Sequence, residues 1–276
     1  MTLLAVQSLD VAYPGPAGPV AAVRDVSFTL ARETLGIVGE SGSGKSTLAR
    51  ALLRLLPEGA TLRARHMSFD GIDLIGARDA ALTRLRGGGI GLVAQDARAA
   101  LNPVRRIGAQ IAETWRLHHG GGRRAARAAA VDLLAQMRLR DPPRVARAYV
   151  HELSGGMAQR ALIAATLAAG PRVLIADEPT SALDAAVKAE VLDLLRGLAA
   201  ARGMGLILIT HDLPLVARHC DRVMVMYAGR VLETRAAADL AGATHPYTRA
   251  LLDCLPSLAR PRARLPVVRR DAWWAL

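Results

Sequence analysis

The sequence predicts an α/β protein: a mainly parallel sheet covered on both faces, an antiparallel β segment at the start, and a helical block set between two strand regions. Three observations carry this. Short apolar runs of strand length, LGIV at 35–38, VLIA at 173–176 and LILIT at 206–210, are separated by helical stretches, the pattern of strands that must cross over through helices. LAVQSLDVAY at 4–13 and AAVRDVSFTLA at 21–31 alternate apolar and polar residues around a Pro/Gly loop, as antiparallel strands do. From about Arg98 to Ala169 the pattern is mostly helical, which predicts an inserted subdomain.

The elements follow in order. After the strand at 35–38 comes a glycine-rich loop and a helix from about Lys45 to Leu56, with Pro57 as its stop. A mixed stretch leads to a strand at Ile90–Val93. The helical block contains GGGRRAARAAAVDLLAQMRL, a basic amphipathic helix, and a Pro-rich break at 141–143. RVMVMY, then Ala228-Gly229, then RVLE reads as a hairpin with a tight turn. From Thr244 a short helix runs into a Pro/Arg-rich end that closes on Trp273-Trp274. One domain over 1–243, with its helical subdomain at about 98–169, and an extension over 244–276 is the expected organisation.

Length and composition set bounds. A chain of 276 residues, 51% hydrophobic, is long enough for one large α/β domain with a sizeable core. The net charge of +12 invites an anionic surface or a nucleic acid, but a chain that writes its solvated faces in arginine gives the same figure. Cys220 and Cys254 are the only cysteines, which builds neither a disulfide framework nor a metal cluster. The N-terminus lacks a basic region followed by a long apolar core, and no apolar run approaches the roughly 20 residues of a membrane helix. A soluble cytoplasmic chain is expected; if it works at a membrane, another chain spans it.

The chemistry is concentrated at GESGSGKST, residues 39–47. Gly39, Gly44, Lys45 and Ser46 fit G-x-x-x-x-G-K-[ST] between a strand and a helix. Such a loop, formed by Gly39, Glu40, Ser41, Gly42, Ser43, Gly44, Lys45, Ser46 and Thr47, turns backbone N–H groups onto phosphate oxygens, and the helix N-terminus adds partial positive charge. Lys45 and Lys188 are the only lysines among 36 basic residues. A compact ammonium on a flexible stem reaches between β- and γ-phosphates where a planar guanidinium does not fit. Ser46 offers a hydroxyl to Mg²⁺. At the end of the strand 173–176 stand Asp177 and Glu178. Acids there point into the crevice where ligands bind: Asp177 as a Mg²⁺ partner, Glu178 as the base that polarises the attacking water.

Leu153-Ser154-Gly155-Gly156-Met157-Ala158-Gln159-Arg160 precedes a helix and lies about 20 residues before Asp177. Together with GESGSGKST and VLIADEPTSALD it resembles the signature motif of ABC-type ATPases, over almost the whole chain. The resemblance implies a P-loop NTPase core of RecA-like fold with an N-terminal antiparallel β-subdomain and the helical signature subdomain, ATP and Mg²⁺ as ligands, and ATP hydrolysis. It implies that Tyr13 stacks on adenine, that Gln95 touches Mg²⁺ and the attacking water, and that His211 contacts the γ-phosphate. By the same resemblance Ser181-Ala182-Leu183-Asp184 contacts the opposite subunit, and Ser154, Gly155 and Gly156 complete the facing subunit's nucleotide site.

AALNP at 99–103 and THPYTRALLDCLP at 244–256 resemble the ATPase subunits of dipeptide, oligopeptide and nickel importers. That branch implies a second ATPase chain, related or identical, two membrane permease subunits, an indirect solute-binding protein, and a place at the cytoplasmic face of the inner membrane. Relatives with a Cys-rich C-terminal segment bind an iron–sulfur cluster. With no cysteine after Cys254, none is expected. Nucleic acid is not an expected partner, because DNA-associated relatives carry a long coiled-coil insertion where this chain has a compact helical block. Translation factors of the superfamily carry two ATPase modules, and exporter halves carry fused membrane helices.

Overall fold

In the computed structural model, residues 2–181 and 183–255 are described. Ala182 and the tail 256–276, with Trp273-Trp274, lie outside them. The chain divides into two compact units, one of Thr2–Ile75 and the segment from Leu208 onward, the other of Gly76–Ile207.

The first unit begins with β1 (Leu4–Tyr13) and β2 (Val20–Leu30), antiparallel from Leu4↔Leu30 to Tyr13↔Val20. Leu4 and Val6, then Leu9 and Val11, of β1 face the core while their neighbours are less buried, the period of two of a half-buried sheet reset by one residue at Ser8, where φ is 48° and the register shifts. β3 (Thr34–Val38) is buried at every position and leads through the glycine-rich loop into α1 (Lys45–Leu52). The helix is shorter than the sequence predicts. It ends before Pro57 because Arg54 takes a positive φ of 53° and its guanidinium donates to the carbonyls of Leu74 and Ile75 at 3.0 and 2.8 Å. β4 (Thr61–Arg63), β5 (His66–Phe69) and β6 (Ile72–Asp73) extend the antiparallel sheet, β4 and β5 both pairing with β1.

The second unit opens with α2 (Asp79–Gly88) and β7 (Ile90–Val93). Its helices are α3 (Ala97–Ala100), α4 (Ile107–His119), α5 (Arg123–Gln136), α6 (Pro142–Arg147) and α7 (Gly155–Leu167). The prolines at 142–143 break the path after α5 and also start α6: Asp141 caps it and proline occupies the first helical positions, where a missing N–H costs nothing. β8 (Val173–Asp177) pairs in parallel with β7, Ile90↔Val173 to Val93↔Ala176. α8 (Ala185–Arg202) follows, capped by Asp184 and stopped by Gly203 in the left-handed region.

β9 (Gly205–Thr210) carries the chain across the unit boundary. Then come α9 (Leu213–His219), β10 (Arg222–Tyr227), β11 (Arg230–Ala236) and α10 (Pro246–Asp253). β10 runs parallel to β3. Asp221 locks that register: its N–H donates to the Thr34 carbonyl at 2.8 Å, and its carboxylate accepts from the Thr34 N–H at 2.7 Å. Ala228 and Gly229, both at positive φ, turn β10 into β11 at the expected place.

Candidate active site

The sequence-predicted residues stand where parallel-sheet chemistry puts them. Gly39 follows β3, Gln95 lies two residues past β7, Asp177 ends β8, and His211 follows β9 and is exposed. The C-terminal ends of such strands are where ligands bind in open α/β sheets.

In the first unit the loop 39–47 is shaped by two glycines. Gly44 has φ 98°, and a Cβ there would lie 2.2 Å from the Ala22 carbonyl oxygen. Gly39 has φ 157°, and its Cβ would lie 2.1 Å from the Met226 carbonyl oxygen. Only glycine allows the backbone this close. Gly44 is also the N-cap of α1, so the next residue, Lys45, starts the helix at the end whose partial positive charge favours an anion.

Lys45 is 5% exposed. Its ammonium donates to Gly39 O at 2.9 Å, Glu40 O at 2.8 Å and Ser43 Oγ at 3.2 Å. Ser43 is buried, and its carbonyl accepts from the Gly229 N–H at 3.1 Å, so the β10–β11 turn braces the loop. Ser41 and Gly42 are exposed and Ser46 is half-buried. The Tyr13 hydroxyl donates to Thr47 Oγ1 at 3.2 Å, placing the expected adenine-stacking ring at the loop's end.

The second unit gathers the other candidates. Asp177 is buried at the end of β8. Glu178 takes φ 46°, a left-handed conformation that costs a non-glycine residue roughly 1–2 kcal/mol and turns the chain sharply after the strand. Its carboxylate accepts from Gln95 Nε2 at 3.4 Å, so the candidate base touches the glutamine expected to contact Mg²⁺ and the attacking water. Ser154 caps α7, its Oγ accepting from the Met157 N–H at 3.3 Å; the hydroxyl proton is still there to be donated. Gly156 sits beside α8, where a Cβ would come within 3.3 Å of Val187 Cγ1. Asp184 accepts from the Val187 N–H at 3.0 Å. Arg98 joins the segment after Gln95 to the signature through a 3.1 Å bond to the Leu153 carbonyl. A cavity of about 470 Å³ lies between these segments, lined by Gln95, Arg98, Gly155, Gln159, Ser181 and Leu183. Gln159 is 4% exposed and its Nε2 has no hydrogen-bond partner among the described residues. Sequence reading quotes Gln159 within the motif but gives it no role; a buried amide with an unfilled donor is visible only in three dimensions.

The donor set fits Mg²⁺. Among the described residues no group of three or more His, Cys, Asp or Glu gathers as a metal cage. Mg²⁺ needs no such cage: it takes one or two carboxylates, keeps waters and draws its remaining ligands from substrate phosphates. The Ser46 hydroxyl in the first unit, and Asp177 and the Gln95 amide oxygen in the second, are oxygen donors of that kind.

Residues 23–181 match the family described as ABC transporter. Over 269 residues the chain is 44% identical to the "Probable D,D-dipeptide transport ATP-binding protein DdpD" of Escherichia coli K12, covering 96% of this chain and 82% of that one. It is 43% identical over 282 residues to the "Glutathione import ATP-binding protein GsiA" of Salmonella typhimurium, covering 98% of this chain and 45% of that longer protein. A solved dimeric ATP-binding cassette in a post-hydrolysis state, bound to ADP and Pi, superposes with a TM-score of 0.77 at 26% identity, covering 85% of this chain and 99% of that chain.

Proposed function

The chain belongs to the ABC transporter family as an ATP-binding, ATP-hydrolysing cassette, and from that premise we propose that it powers a peptide importer. The observation that carries the reading is the Lys45 ammonium, held by Gly39 O, Glu40 O and Ser43 Oγ at the head of α1. A buried cation on exchangeable acceptors can trade one of them for a phosphate oxygen without leaving its place.

The roles follow from the chemistry of each group. The loop N–H groups and Lys45 take the phosphates, and Tyr13 flanks the base. Ser46, Asp177 and Gln95 would hold Mg²⁺, which would supply positive charge to the phosphate oxygens. Glu178 accepts the proton of the attacking water, and the Gln95 bond orients its carboxylate. His211 steadies the γ-phosphate. Ser154, Gly155 and Gly156 serve the nucleotide of a facing cassette, so that two ATP molecules lie between two chains, and Asp184 and its neighbours form part of that contact. The solved dimeric relative supports such a pairing.

No helix among the described residues is long and apolar enough to cross a membrane, so this reading assigns the span to two permease subunits and places the cassette on the cytoplasmic face of the inner membrane. The docking surface it favours is a groove of about 700 Å³ between α4, α5 and α6, bordered by Arg105, Arg106, Arg116, Arg123, Arg127 and Arg147. That chemistry suits a cytoplasmic permease segment rich in carboxylates. The names of the two relatives, one for D,D-dipeptide transport and one for glutathione import, support a peptide solute over nickel. The test is co-expression with candidate permease subunits: the chain should co-purify with them, and binding protein loaded with peptide should raise ATP hydrolysis by the assembly. A chain that never associates with a permease would refute import.

A further inference from the structure

We infer that Tyr247, in the C-terminal extension, is a positioning residue for the phosphate-binding lysine. The inference rests on the ATPase reading and adds an element that lies beyond the family match at 23–181.

Tyr247 is fully buried in α10. Its hydroxyl accepts from the Glu40 N–H at 3.3 Å. The same peptide group, Gly39 C=O to Glu40 N–H, is held on its other side, where the Gly39 carbonyl accepts from Lys45 Nζ at 2.9 Å. A peptide unit is planar and rigid. Fixing the direction of its N–H therefore fixes the direction of its C=O, and with it the acceptor on which Lys45 rests. The two bonds also polarise the peptide in the same sense, each strengthening the other.

The tyrosine is itself anchored. Its ring packs against Tyr227 at 4.7 Å between centroids, tilted by 50°. Tyr227 ends β10, just before the turn whose Gly229 N–H braces Ser43. Upstream, Glu233 of β11 accepts from the Thr244 N–H at 2.9 Å, the Thr244 hydroxyl at 3.1 Å and the His245 N–H at 3.3 Å. His245 then caps α10, its Nδ1 accepting from the Tyr247 N–H at 3.1 Å. The stretch Thr244-His245-Pro246-Tyr247 is thus a strap, tied to β11 at one end and to the front of the phosphate loop at the other.

Once ATP is bound, its phosphates themselves hold Lys45. The strap's contribution is greatest in the free loop, so it should show in affinity more than in turnover. The test uses the full chain, with Mg–ATP affinity by calorimetry, KM and kcat for ATP, and a thermal melt. Tyr247→Phe keeps the ring and removes only the hydroxyl. It should raise the ATP Kd and KM about three- to tenfold, the worth of one hydrogen bond, with kcat within about twofold. Glu233→Gln leaves Tyr247 intact but loosens its anchor, and should raise Kd by a smaller factor even if the first variant folds poorly. A lowered Tm with unchanged ATP Kd in both variants would show a merely structural role and overturn the inference. If the wild-type chain binds no ATP, the ATPase reading fails and takes the inference with it. If wild type binds ATP and Tyr247→Phe binds it equally, the inference alone fails.

Discussion

Lys45→Arg keeps the charge and should nevertheless abolish function. The wild-type ammonium reaches three oxygens at 2.8 to 3.2 Å from a single nitrogen. A guanidinium spreads its donors around a central carbon in a fixed plane, so no one nitrogen can take that position while the others find room. With Lys45 only 5% exposed, the surrounding wall does not yield to a wider head. At an effective dielectric constant near 20, a unit cation about 4 Å from a phosphate charge is worth about 4 kcal/mol, close to a thousandfold in affinity. Lys45→Ala forfeits that attraction and leaves three acceptors without their donor. Lys45→Arg retains part of the attraction at the wrong distance, so its ATP affinity should fall between wild type and Lys45→Ala, with no measurable hydrolysis. The assay is ATP titration by calorimetry beside steady-state phosphate release. An arginine variant that turned over ATP at the wild-type rate would refute the argument that geometry, and not charge, selects lysine here.

Two further outcomes are expected. Gln95→Ala removes the 3.4 Å bond to Glu178, so ATP affinity should stay within about threefold while solute uptake in vesicles falls by more than tenfold; intact uptake alongside lost ATP affinity would contradict the assignment. Glu233 gives a pH dependence. Burial raises its pKa, but hydrogen bonds from the Thr244 backbone, Arg235 and the Thr244 side chain outweigh that and lower it from 4.5 to about 2. A carboxylate with a depressed folded-state pKa contributes fully above pH 4.5 and loses its contribution as pH falls toward 2, at most about 3 kcal/mol before solvent screening reduces it. The Tm gap between wild type and Glu233→Gln should therefore be constant near neutral pH and close progressively below pH 4.5; a gap that did not change with acid would show that the charge is not what holds the strap.

The sequence carries much of this because the features it displays are local. Ile90–Val93 and the Ala228-Gly229 hairpin fall where patterning places them, since apolar runs and turn residues specify strands and turns within a few positions. The phosphate loop is legible because its glycines, lysine and serine fall in one run of nine residues, although the carbonyls that leave no room for a Cβ at Gly44 and Gly39 belong to the distant Ala22 and Met226. What stays hidden is set at long range. The end of α1 depends on Arg54 reaching the carbonyls of Leu74 and Ile75, some twenty residues away, and Pro57 is the more visible signal. β4, β5 and β6 are too short to show a period; β4 and β5 exist because β1 offers them partners, and β6 because β5 does. At the site, the Gln95–Glu178 contact joins positions 83 apart, and the Tyr247–Glu40 bond joins positions 207 apart. THPYTRALLDCLP at 244–256 stands out in the sequence by its resemblance to importer ATPases, but nothing local says that its tyrosine reaches the phosphate loop.

The central claim is a hydrolytic site completed by a second cassette, and Glu178→Gln tests it most directly. Glutamine keeps the shape of the carboxylate and removes the base, so ATP should bind and hydrolysis should nearly stop. The closed pair should then accumulate, either of two identical chains or of this chain with a related cassette. Light scattering of Glu178→Gln with ATP, alone and with the candidate partner cassette, should show a dimer that is absent with ADP. Adding Ser154→Arg to the facing chain should abolish it, because the bulky side chain blocks closure over the γ-phosphate. A monomer in the presence of both ATP and the partner would contradict the two-chain mechanism.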